Sequence, residues 1–148
     1  MATTEHATDT IQLRRSYSAP IDAVWRAWTA PEALSRWFRP SDEHTTTVHT
    51  LELMVGGWYR IEMVHTNDKR HVVGGVYREL QPPGMLTFTW RWEDNPTMSD
   101  TLVTIELASS KAGGTELVLT HSQLADEKQR EDHRHGWTGC LERLGAIL

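Results

Sequence analysis

The sequence predicts an α+β fold in which one curved antiparallel sheet closes on a long C-terminal helix. Three observations carry that expectation. Trp137, Cys140, Leu141, Leu144 and Leu148 recur at spacings of three and four, the mark of one apolar stripe on a helix. Six runs of strand character precede this helix, separated by short turn-forming segments. A further strand and two short helices open the pattern. A helix with a single apolar stripe needs a concave surface to cover, and the sheet that supplies it encloses a hollow.

The elements follow in order. Ile11 to Ser18 alternates between apolar and polar positions and reads as the first strand. Pro20 falls where a helix can begin without losing a needed donor, and Ile21, Val24, Trp25 and Trp28 follow at helical spacing. Thr29 with Glu32 three residues on has the capping-box pattern, which restarts the chain as a second helix through Leu34, Trp37 and Phe38 until Pro40. From Thr45 the period becomes two. Strands are expected over Thr45 to Met54 and Trp58 to His65 across Gly56 and Gly57, then over His71 to Leu80 after Asn67 and Asp68. Pro82, Pro83 and Gly84 break the chain before Met85 to Trp92, which places Leu86, Phe88, Trp90 and Trp92 on one face. Two more strands, Thr101 to Ala108 and Thr115 to His121, flank Gly113 and Gly114. Short connections make successive strands antiparallel neighbours. Asp126 can cap the last helix, with Gln129 three residues later and Glu127 in the first turn, where the helix dipole favours negative charge.

Gly136 and Gly139 lie inside that helix, each costing about 1 kcal/mol relative to Ala. Two readings compensate: close approach of the helix to the sheet, or room left for a ligand.

Composition narrows the function. The 148 residues suit one domain, expected over residues 11–148 behind a frayed polar tail over residues 1–10. Fifteen Lys and Arg against twenty Asp and Glu give a net charge of -5 with no basic block, which argues against a nucleic-acid partner. No apolar run approaches the length of a membrane span. The lone Cys140 excludes an internal disulfide and suits a reducing compartment, so a cytoplasmic location is expected. Seven Trp exceed the two Phe and three Tyr combined, which hints at an aromatic-lined pocket.

Six segments, in this order, resemble one family. They are Ala19 to Phe38 (APIDAVWRAWTAPEALSRWF), Glu52 to Arg60 (ELMVGGWYR), Gly75 to Leu80 (GVYREL), Pro82 to Trp90 (PPGMLTFTW), Gly113 to His121 (GGTELVLTH) and His135 to Leu144 (HGWTGCLERL). The family is the SRPBCC superfamily, also called START-like or birch-pollen-allergen-like, and the resemblance is greatest to its branch named for activator of heat-shock protein 90 ATPase. The resemblance implies a helix-grip fold, with a seven-stranded sheet curled around the C-terminal helix and a cavity between them. It implies no single activity, since the superfamily spans lipid carriers, polyketide cyclases and co-chaperone modules. Glu52 and Met54 stand where the family usually has Asp and a basic residue.

Candidate chemistry is sparse. His133 and His135 are two apart, about 200° around a helix, and do not bind one ion from one face. No metal or cofactor is expected. His133 lies four residues before Trp137, on the inward stripe, and His121 shares strand parity with Leu117 and Leu119. Each is either a satisfied core imidazole or an anchor or general base in the cavity. Cys140 on the buried stripe reads as an inert thiol.

Strand parity gives the expected lining: Tyr59, Ile61 and Met63; Phe88, Trp90 and Trp92; Val103, Ile105 and Leu107; Leu117, Leu119 and His121. Trp37 and Phe38 are expected to cap one end, with His133, Trp137 and Leu141 as the lid. The register of Tyr77 and Glu79 stays open. The expected function is binding or sequestration of a small hydrophobic or aromatic molecule without established catalysis. The alternatives are a cyclase or hydrolase-like enzyme using a cavity His, and a chaperone-associated or stress-response module using exposed Trp58. Whether the chain forms a homodimer is left open.

Overall fold

The computed structural model describes residues 9–148, so most of the tail expected over residues 1–10 lies outside the described residues. At its end, the Asp9 carbonyl accepts from the Leu124 N–H at 3.0 Å. The chain runs β1 (Ile11–Tyr17), α1 (Ile21–Thr29), α2 (Pro31–Trp37), β2 (His44–Leu51), β3 (Trp58–His65), β4 (Arg70–Gln81), β5 (Met85–Trp92), β6 (Thr101–Ser109), β7 (Thr115–Ser122) and α3 (Glu127–Ile147). The strands form one curved antiparallel sheet in the order β1-β7-β6-β5-β4-β3-β2, wrapped around α3: the helix-grip arrangement.

Alternation positions the core. Tyr59, Ile61 and Met63 on β3, Val103, Ile105 and Leu107 on β6, and Leu117, Leu119 and His121 on β7 are all buried. Val103 pairs with His121, Ile105 with Leu119 and Leu107 with Leu117, so like faces like across the sheet. β4 breaks this rhythm. Tyr77 pairs with Phe88 but Glu79 pairs with Thr87, so one extra residue bulges at Arg78 and the parity reverses. Tyr77 therefore turns inward and Glu79 outward.

Several local expectations are corrected. Thr29 does not cap α2: it ends α1, and its hydroxyl donates to the Trp25 carbonyl at 2.9 Å. Ala30 occupies the cap position without a side-chain bond, and Pro31 starts the helix with the φ it favours. β2 ends at Leu51 rather than Met54, because its partner β3 begins only at Trp58 and residues 52–57 turn between them. Leu148 drops out of the apolar stripe and is 39% exposed. The Asp126 cap is present: its carboxylate accepts from the Gln129 N–H at 2.8 Å while Gln129 Oε1 accepts from the Ala125 N–H at 3.0 Å.

Side chains tie α3 and the two short helices to the rest. The Trp37 indole donates to the Ala27 carbonyl at 2.8 Å and fixes the angle between α1 and α2. Tyr17 Oη donates to the Leu141 carbonyl at 2.9 Å, joining β1 to α3. Arg143 donates to Asp42 at 2.9 Å, which pins α3 to the loop after α2. Among the described residues, no helix is long and apolar enough to cross a membrane.

Candidate functional site

Between the concave face of the sheet and the N-terminal half of α3 lies a cleft of about 570 Å³, open to solvent on one side. Phe38, Met63, Trp90 and Trp137 form its buried floor. α3 supplies His133, Gly136 and Cys140 to one wall, and His44, Trp92 and Pro40 line the other parts. His71, Asp94, Asn95, Asp132 and His135 stand around the opening. Gly136 and Gly139 separate here into two roles. A Cβ on Gly136 meets nothing within 4 Å, so its missing side chain is open cleft. A Cβ on Gly139 would lie 2.9 Å from the Pro40 carbonyl carbon and closer still to its oxygen. The close approach at Gly139 is to the loop after α2 and not to the sheet.

Two imidazoles hold the aromatic floor. Trp92 Nε1 donates to His133 Nε2 at 3.0 Å, and Trp90 Nε1 donates to the same nitrogen at 3.3 Å. His133 Nδ1 stands 2.7 Å from the Gln129 carbonyl, so it carries the proton and donates. Trp137 Nε1 donates to His121 Nδ1 at 3.0 Å. Because Thr101 Oγ1 already donates to the Trp90 carbonyl at 2.8 Å, His121 Nε2 is the protonated nitrogen and donates to that hydroxyl, also at 2.8 Å. Every donor of the three indoles is thereby satisfied within the protein. The ring centroids of Trp90 and Trp137 are 4.9 Å apart, and Phe38 sits 5.9 Å and 5.8 Å from them.

This network decides the chemistry of the imidazoles. Both hold the neutral form, since each uses one ring nitrogen purely as an acceptor from a donor-only indole. Burial, and then the neighbouring His133, pushes His121 well below the usual histidine range. Burial also lowers His133, against the opposing pull of the Gln129 carbonyl and Asp132. Neither lone pair is free to take a proton from a substrate, and His121 is fully sealed from solvent. Burial raises the Cys140 thiol to about 12, which keeps it protonated and unreactive. Among the described residues, no three His, Cys, Asp or Glu side chains converge as metal ligands.

A pH dependence follows. Between their lowered folded values and the ordinary value near 6.5, the unfolded chain binds more protons at positions 121 and 133 than the folded one. Their contribution to stability is complete above pH 6.5 and is lost progressively as the pH falls below it. The urea midpoint is expected to drop between pH 7.5 and pH 5.5, before the carboxylates titrate. Equal midpoints at the two values would contradict the neutral network.

The expected lining residues fall into three groups. Phe38, Met63, Trp90, Trp92, His133 and Trp137 border the cleft. Tyr59, Ile61 and Phe88 border a separate void of about 20 Å³, which Phe38 and Trp90 also reach. Trp37, Val103, Ile105, Leu107, Leu117, Leu119 and Leu141 border neither space and are packed in the core, with His121 behind Trp137. The cleft is displaced toward β3, β4 and β5 because Leu141 and Leu144 fill the other end against the sheet. Sequence reasoning missed His44, His71, Asp94, Asp132 and His135 as neighbours of the cleft. Parity along β4 placed His71 and Val73 on one face, and that was the available signal for His71.

Residues 18–148 match the family described as Activator of Hsp90 ATPase homolog 1-like protein. A crystal structure of a protein from Chromobacterium violaceum is 32% identical, with 94% of this chain and 96% of that one covered at a TM-score of 0.86. An AHSA1 protein from Silicibacter pomeroyi is 23% identical over 93% of this chain and 96% of its own, with a TM-score of 0.81. One from Mycobacterium smegmatis is 17% identical over 97% and 92%, with a TM-score of 0.82. The last two likenesses concern the fold alone. No curated protein is similar enough to this chain to count as a match.

Proposed function

The chain belongs to the Activator of Hsp90 ATPase homolog 1-like family, within the SRPBCC superfamily, and on that premise we propose that it binds a small, largely apolar or aromatic molecule in the cleft beneath α3. The observation that carries the reading is the floor of the cleft. Phe38, Trp90 and Trp137 line it, and both indole N–H groups are bonded within the protein, so an apolar guest strands no donor there. The role is binding or sequestration, and it is exercised in the cytoplasm, a reducing setting that suits the lone buried thiol of Cys140.

Substituting Gly136 by Leu tests this. The new side chain enters open cleft rather than packed core. With the neutral probe N-phenyl-1-naphthylamine, wild-type protein is expected to show quenched tryptophan emission, and Gly136→Leu to bind roughly tenfold more weakly with its unfolding midpoint retained. An unchanged tryptophan spectrum with this probe and with a library of apolar metabolites would defeat the reading. So would full affinity in the Leu variant.

The interaction alternative has one observation in its favour. Leu53, Met54, Val55, Trp58 and Val76 are exposed at the turn between β2 and β3 and on adjoining β4. A mass by light scattering that stays monomeric as concentration rises would remove its homodimeric form.

A further inference from the structure

The polar groups at the opening of the cleft carry a bias that the floor does not. Two carboxylates, Asp94 and Asp132, stand there, and among the described residues no Lys or Arg side chain lines the cleft. Asp132 Oδ2 is paired with Lys128 Nζ at 2.8 Å. Among the described residues, Asp94 has only the looser company of His71 Nδ1 at 3.6 Å, and it remains more than half exposed. Two of the lining imidazoles, His44 and His133, do not reverse the sign at neutral pH. Burial, followed by His65 and His71, lowers His44, and His133 is held neutral by two indole donors. Farther in there is no free hydrogen-bonding group among the Trp90, Trp92 and Trp137 edges, so the inner part of the cleft suits an apolar or aromatic body and not a charged head. A carboxylate or phosphate head would meet like charge at Asp94 and no cationic partner. An ammonium head would meet the opposite charge. The chain's net charge of -5 adds a long-range attraction of the same sign.

We propose that the ligand is an organic cation, with an aromatic or apolar body seated over Trp90 and Trp137 and an ammonium group held at the mouth by Asp94. This rests on the binding reading above and narrows it to one charge class. Asp94 gives the cleft a polar end, so a guest enters body first and its ammonium stays hydrated.

Calorimetric titration with three compounds of one skeleton tests the proposal: 2-(1-naphthyl)ethylamine, 2-(1-naphthyl)ethanol and 3-(1-naphthyl)propanoate. The amine is expected to bind roughly tenfold more tightly than the alcohol, and the carboxylate more weakly than either. In Asp94→Asn the advantage of the amine over the alcohol should fall to about twofold or less while the alcohol's own affinity is kept, since only a charge is removed. Added salt should erode the amine's advantage and spare the alcohol. If the alcohol binds as tightly as the amine, or Asp94→Asn leaves the difference intact, the charge assignment fails and apolar binding stands. If none of the three binds although N-phenyl-1-naphthylamine does, this inference falls alone; if that probe and the metabolite library fail as well, the binding reading falls with it.

Discussion

Adding one methyl group at position 139 is expected to destabilise the protein by roughly 2 kcal/mol, although Ala is the better helix former by about 1 kcal/mol. The reason is the obstacle it meets. The new Cβ would press on the Pro40 carbonyl, a backbone group between α2 and β2 that cannot rotate aside like the tip of a side chain. Arg143 also donates to the Gly139 carbonyl at 2.9 Å and to Asp42, so the helix and the loop are clamped at this level. Moving them apart would strain both contacts. The same change at position 136, where a Cβ meets nothing within 4 Å, is expected to stabilise by up to about 1 kcal/mol through helix propensity alone. Urea unfolding of the two Ala variants checks the pair. A Gly139→Ala protein as stable as the wild type would show that the loop yields, and the clamp would then have no energetic meaning.

Trp137 is expected to be the most costly aromatic to remove. Trp137→Ala should lose about 3–5 kcal/mol, the usual range for emptying a packed core site of an aromatic ring. The side chain is 2% exposed and touches the rings of Trp28, Phe38 and Trp90. Trp137→Phe separates area from hydrogen bonding. It keeps most of the ring but leaves His121 Nδ1 without a donor at a site closed to water, a cost of about 1–3 kcal/mol. In a His121→Leu background the same Phe substitution should cost less, because the stranded acceptor is gone. Equal losses in both backgrounds, measured by urea denaturation, would mean that the indole–imidazole bond contributes nothing of its own.

The strands were legible because their periodicity reports directly on burial. Met85–Trp92 and Trp58–His65 fall where alternation and flanking turns place them. The bulge at Arg78 was not legible, since an inserted residue reverses parity without any distinctive residue type. Thr29 shows a different failure: a capping pattern competes with simple continuation of the preceding helix, and the hydroxyl's bond to the Trp25 carbonyl wins. The inward faces of the strands could be read for the cleft, but not the spacing between sheet and helix. That spacing depends on Gly139 meeting Pro40 and on Leu141 and Leu144 filling the far end, contacts between segments about a hundred residues apart. Apart from His71 on β4, the polar groups at the opening belong to loops and exposed helix positions, where no periodicity constrains them.

The strand order has a consequence for how the protein is made. β1 pairs only with β7, so Ile11 must find His121 and Tyr17 must find Thr115. The hairpins from β2 through β5 can close as soon as they leave the ribosome, whereas residues 11–17 wait, with an unsatisfied edge, until residues 115–121 have been synthesised. That interval is the stage of biogenesis most exposed to aggregation, and a nascent-chain holdase that shields the first strand would raise the yield more than one acting on any later segment.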